Sequence, residues 1–65
     1  MSYSVNTLKN NLKNVEDKIK ELIKELDNII KNIPEDVDIT TEEGSELYYL
    51  RFRANILKST LESLV

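Results

Sequence analysis

The chain has no cysteine, no histidine and no tryptophan, and only one glycine and one proline. Each shortage closes a door. Without cysteine there is no disulfide and no thiolate metal site, and nothing points to an oxidising compartment. Without histidine the commonest metal ligand and the commonest general base are both missing. With Gly44 as the sole glycine, a glycine-rich phosphate loop cannot be built. No apolar run reaches the length of a membrane span, and "MSYSVNTLKNNLKN" lacks the charged-then-apolar layout of a signal peptide. The expectation is a cytoplasmic protein with no membrane contact, no metal and no cofactor.

Enzymatic chemistry has little to work with. Hydrolases and transferases need an activated nucleophile or a carboxylate with a tuned pKa. Glu21 and Glu25 stand among lysines and read as ordinary helix surface charge. The segment "DVDIT" opens like a calcium loop, but Thr41 stands where that loop needs glycine and Leu47 where it needs glutamate. The chain is expected not to be an enzyme.

At 65 residues there is room for one domain and little core. At that size apolar burial barely offsets the loss of conformational entropy, so small chains are completed by disulfides, metals or further subunits. The first two are excluded here, which leaves oligomerisation.

What the sequence does contain is heptad pattern. Val5, Leu8, Leu12, Val15, Ile19, Leu22, Leu26, Ile29 and Ile33 alternate at steps of three and four. This is a continuous a/d seam, and it predicts helix from about residue 5 to 33. Ile23 and Ile30 fall at e positions and widen the stripe, which suits a helix with more than one neighbour. Ser4 or Asn6 can cap its start, and Pro34 ends it. A connection follows over 34–40, in which Val37 and Ile39 are expected to tuck over the end of the bundle. Thr40 with Glu43 three residues on reads as a capping box. A second helix, about 41 to 64, carries the seam Leu47, Leu50, Ala54, Leu57, Leu61 and Leu64.

Similar lengths and a short connection predict an antiparallel hairpin spanning residues 1–65, the two a/d seams facing each other. With the turn near Val37, Leu47 would face Leu26 and Leu61 would face Leu12. Tyr3 and Val5 would then project beyond the hairpin, without an intrachain partner. The fold class is all-α: a two-helix hairpin assembling into a homo-oligomer, with a dimeric four-helix bundle favoured.

The second helix has more apolar surface than one seam requires. Tyr49, Phe52 and Ile56 repeat the three-then-four spacing on a different face, with Tyr48 beside them. Soluble monomers rarely display such a patch. Self-association through Tyr48, Tyr49, Phe52 and Ile56, together with Tyr3 and Val5, is the reading of first choice. The same residue types dominate binding hot spots, so a larger protein is an alternative occupant. Arg51 and Arg53 flank the seam. They either pair with acids such as Glu21 and Glu25 or, together with Tyr48 and Tyr49, stack and clamp a nucleotide.

Charge is unevenly placed. Residues 34 to 46 hold Glu35, Asp36, Asp38, Glu42, Glu43 and Glu46 with no basic residue, a block of −6 in a chain of net −3. Part of this is helix-start chemistry, because the dipole favours anions there. Lys13, Lys20, Lys24 and Lys31 share the outer side of the first helix, but Asp17 and Asp27 interrupt them, which argues against nucleic acid. Seven asparagines among many Lys and Ile fit an AT-rich coding sequence, as in some low-GC bacteria, archaea and their viruses.

These features predict a small non-catalytic oligomer acting through protein contacts, as a regulator or inhibitor of a larger partner. Two further readings are a viral or bacterial binder that sequesters a nucleotide at a subunit interface, and a purely structural assembly unit.

Overall fold

The computed structural model describes residues 4–65. It is all-helical: α1 runs Val5–Lys31 and α2 runs Glu42–Glu62, packed against each other as a hairpin. Ser4 caps α1, its hydroxyl accepting the Thr7 N–H at 3.0 Å. The last α-turn closes at Lys31, two residues short of the expected end. Asn32 and Ile33 finish in tighter turns onto Asn28, Ile29 and Ile30 carbonyls. The restriction that Pro34 imposes on the residue before it stops the helix.

The start of α2 differs from the expected capping box. Thr41 is the N-cap, its hydroxyl accepting the Gly44 N–H at 3.0 Å. Thr40 is held one step earlier, where its N–H and hydroxyl both donate to the Asp38 carboxylate at 3.0 and 2.5 Å. The Asp38 main-chain carbonyl then accepts from the Thr41 N–H at 3.1 Å and hydroxyl at 2.8 Å. That carbonyl lies directly over Gly44, which is buried. A β-carbon on residue 44 would sit 1.8 Å from it, so only glycine fits. Val37 is half-buried in this connection, whereas Ile39 stays exposed, contrary to expectation.

The hairpin register also differs from expectation. Arg51 donates to the carbonyls of Ile33 and Pro34, and Lys58 pairs with Asp27 at 2.5 Å. Arg51 is therefore level with the end of α1, and the first turns of α2 extend roughly 13 Å beyond it, at ~1.5 Å per residue. The connection must climb that distance before it turns at Asp38–Thr41. Leu61 consequently faces Leu22 and Leu26 across a groove, about twelve residues along α1 from Leu12.

The packed face is rotated as well. On α1 the residues drawn in are Ile19, Ile23, Leu26, Asp27, Ile30 and, just past its end, Ile33. On α2 they are Gly44, Leu47, Arg51, Ala54, Lys58 and Leu61. Apart from Asp27, at a b position, these are a and e positions. The d positions expected in the core, Leu22 and Ile29 on α1 and Leu50 and Leu57 on α2, are about half exposed. Three features favour the rotation. Ile23 and Ile30 make the e side of α1 as apolar as the d side. Ala54 is small and lets the helices approach. Arg51 and Lys58 lay aliphatic stems along α1 while their charged ends find a carbonyl pair and a carboxylate.

The result is a rod of 59 × 18 × 16 Å with a radius of gyration of 17.3 Å. A compact domain of this length would have about 11 Å. It exposes 5567 Å², where a compact chain of 7.6 kDa exposes about 4,300 Å². Ile33 and Ala54 are the two buried apolar side chains among the described residues.

Candidate functional site

Two apolar surfaces remain uncovered on the hairpin. The first is a groove between the helices, opened by the rotation. Leu22, Leu26, Ile29 and Ile33 form one wall, and Leu47, Leu50, Ala54, Leu57 and Leu61 form the other. Its wider section encloses about 520 Å³. Beyond the end of α2 the same stripe continues along α1 alone as Val5, Leu8, Leu12 and Val15, all at least half exposed.

The second is the outer side of α2. At ~100° per residue, Tyr48, Phe52, Ile56 and Tyr49 lie a quarter to a half turn away from the hairpin contact. All four are at least half exposed. The Arg53 guanidinium sits 5.7 Å above the Tyr49 ring, in cation–π range. It also reaches the rim of the groove, so one side chain borders both surfaces.

The structure brings Tyr48, Tyr49, Phe52, Ile56 and Arg53 onto adjoining parts of α2. It places Arg51 elsewhere, half-buried on the hairpin side with its donors on the Ile33 and Pro34 carbonyls. The expected pairing of Arg53 with Glu21 or Glu25 does not form; Glu21 pairs with Lys24 at 3.9 Å. Val5 begins α1, at the far end of the rod from the aromatic residues. Tyr3 lies outside the described residues.

The acidic block divides by role. Glu42 and Glu43 occupy the first turn of α2, where they complement the helix dipole. Asp38 organises the turn, and the Thr40 hydroxyl and N–H hold its carboxyl below the usual range. Glu35, Asp36 and Glu46 are exposed. Between the helices, the hydrogen bond from Lys58 lowers the Asp27 pKa and raises that of Lys58. Among the described residues no cluster of His, Cys, Asp and Glu could hold a metal ion, and no helix is long and apolar enough to cross a membrane.

Comparison with protein-family models, curated proteins and solved structures finds no match. The reading therefore rests on the two surfaces. Both are lined by side chains that can bury area and exclude water.

The groove residues Leu22, Ile29, Leu50 and Leu57 are the functional candidates that the heptad reading misplaced, by assigning them to the hairpin core. The signal that could have found them was present. Ile23 and Ile30 offered a second inward face on α1, and the Asp27 and Lys58 pair could form only if that face were used.

Proposed function

We propose that the protein is a non-catalytic interaction module that associates with itself and docks, once assembled, on a larger protein as a regulator or inhibitor. One observation carries the reading. The hairpin exposes about 1,300 Å² more than a compact chain of its mass would, and its exposed side chains include Leu22, Ile29, Leu50 and Leu57 along the groove and Tyr48, Tyr49, Phe52 and Ile56 on the outer side of α2. A stable protein contact takes about 800 Å² from each partner, so the chain has surface for one such interface and part of another. The outer side of α2, with Tyr48, Tyr49, Phe52 and Arg53, has the aromatic and arginine composition of a binding hot spot.

The test compares wild-type protein with Tyr48→Ala and Phe52→Asp variants, each tagged and recovered from the cells that make it. The expected result is one partner in fixed stoichiometry on the wild type, reduced at least tenfold on both variants while their oligomeric state is unchanged. Equal recovery of that partner on all three would contradict the docking assignment.

A further inference from the structure

Because Lys58 is level with Asp27, α2 ends at Glu62 near the level of Ile23, and past the chain's last three residues α1 runs on alone. The lone segment, Val5 to about Lys18, is roughly 20 Å long at ~1.5 Å per residue. The groove spans Leu22 to Ile33 on one wall and Leu47 to Leu61 on the other, also roughly 20 Å by the same rise. One chain thus carries a rod and a slot of equal length, on one continuous apolar stripe.

The stripe reads nearly alike in both directions from Ile19. Leu12 and Leu26 lie seven residues to either side of it, and Val5 and Ile33 fourteen. We infer that a second copy of this chain occupies the groove, antiparallel, with the two-fold axis at Ile19. Leu12 then meets Leu26 of the partner subunit, and each groove receives the lone half of the other copy's α1. Each end of the dimer becomes a three-helix bundle, and the d positions that the hairpin leaves open are covered.

Area and charge both fit. The contact removes the groove walls and the overhang from water on each chain, covering Leu22, Ile29, Leu50 and Leu57 together with Val5, Leu8, Leu12 and Val15, all about half exposed or more in the single chain. The first turn of α1 carries no acidic residue, and its dipole end is positive. In the antiparallel register that end abuts the partner's 34–46 connection, with its charge of −6. A parallel pairing would set the two acidic connections side by side. Association through the aromatic face, the first choice on sequence grounds, would leave Leu8, Leu12 and Val15 in water. Here Tyr48 and Phe52 stay outward, available to another protein.

The inference rests on the self-association half of the function proposed above, and cysteine cross-linking separates the two. The chain has no native cysteine, so single substitutions report cleanly. Ile19→Cys should oxidise to a covalent dimer in high yield. Leu12→Cys and Leu26→Cys should each fail alone, their symmetry mates being roughly 20 Å apart, yet cross-link when mixed. Exposed Phe52→Cys should not cross-link. Dimers from Phe52→Cys, with none from Ile19→Cys or from the mixture, would overturn the groove assignment while leaving self-association standing. A wild-type chain that sediments as a monomer at 100 μM would overturn both.

Discussion

The two helices spend their apolar residues differently. On α1 they keep to one stripe, and the outer side carries Lys13, Asp17, Lys20, Lys24 and Lys31. On α2 they go most of the way round: Leu47, Ala54 and Leu61 against α1, Leu50 and Leu57 along the groove, and Tyr48, Phe52 and Ile56 on the outside. A helix that is apolar on several sides belongs in the middle of something. α1 has one face and too little partner to cover its length. α2 has enough partner for one face and two faces left over. On the proposal made above, the uncovered face of each helix is where a second copy or a partner attaches.

The difference can be broken first at the hairpin contact. Ala54 is 5% exposed, so Ala54→Asp puts an unpaired charge between the helices. A cost above about 3 kcal/mol is expected, comparable with the whole stability of so small a chain, and circular dichroism should show loss of helix. Leu57→Asp, in contrast, changes a d position that is half exposed. It should keep its helical spectrum and lose self-association at least tenfold.

Gly44→Ala comes next. Helix propensity alone would favour alanine by about 1 kcal/mol. The Asp38 carbonyl reverses the sign, because main chain cannot yield as a side chain can. A net loss of about 1–3 kcal/mol should appear in urea unfolding, and a gain would refute the close approach.

The two caps give a smaller contrast. Thr41→Ala should cost about 1 kcal/mol, because the turn it closes is packed. Ser4→Ala removes an equivalent hydrogen bond from a helix end that has no intrachain neighbour, and should cost the isolated hairpin less. Equal losses in thermal melts would mean that the ends of α1 and α2 are equally anchored.

The smallest effect is that of pH. Asp27 and Asp38 both titrate below their ordinary range when folded. Their stabilisation is complete above the unfolded carboxylate value near ~4 and disappears as pH falls through the lowered folded values. Lys58 is raised, so its share persists below its unfolded value near ~10.4 and is lost as pH climbs through the raised one. Asp27→Asn should flatten the acid limb in part and the alkaline limb, and the remaining acid dependence should vanish with Asp38→Asn. An unchanged profile would mean that the Asp27–Lys58 pair does not persist in solution.

Much of this was legible in the sequence. Heptad spacing gave both helices to within about two residues, Pro34 marked the end of α1, and Ser4 was one of two candidate caps for its start. The register was not legible, because it depends on how far the connection climbs before turning, and Arg51 sets that by reaching the Ile33 and Pro34 carbonyls. Nor was the rotation from d to e. A heptad pattern states which residues are apolar, and Ile23 and Ile30 made two faces of α1 equally eligible. Small residues and one ion pair decided between them. The aromatic face of α2 was visible because it broke the expected pattern, whereas the groove was hidden because its residues fitted it.

The most direct test of the central claim, that the hairpin is completed through its open d positions, is sedimentation equilibrium of the wild type beside Leu57→Asp, with helicity measured on the same samples. The account predicts a wild-type mass of twice the 7.6 kDa chain and a helical monomer for the variant. A Leu57→Asp protein that unfolds would return Leu57 to the hairpin core. One that remains a dimer would show that the groove is not where the second copy binds.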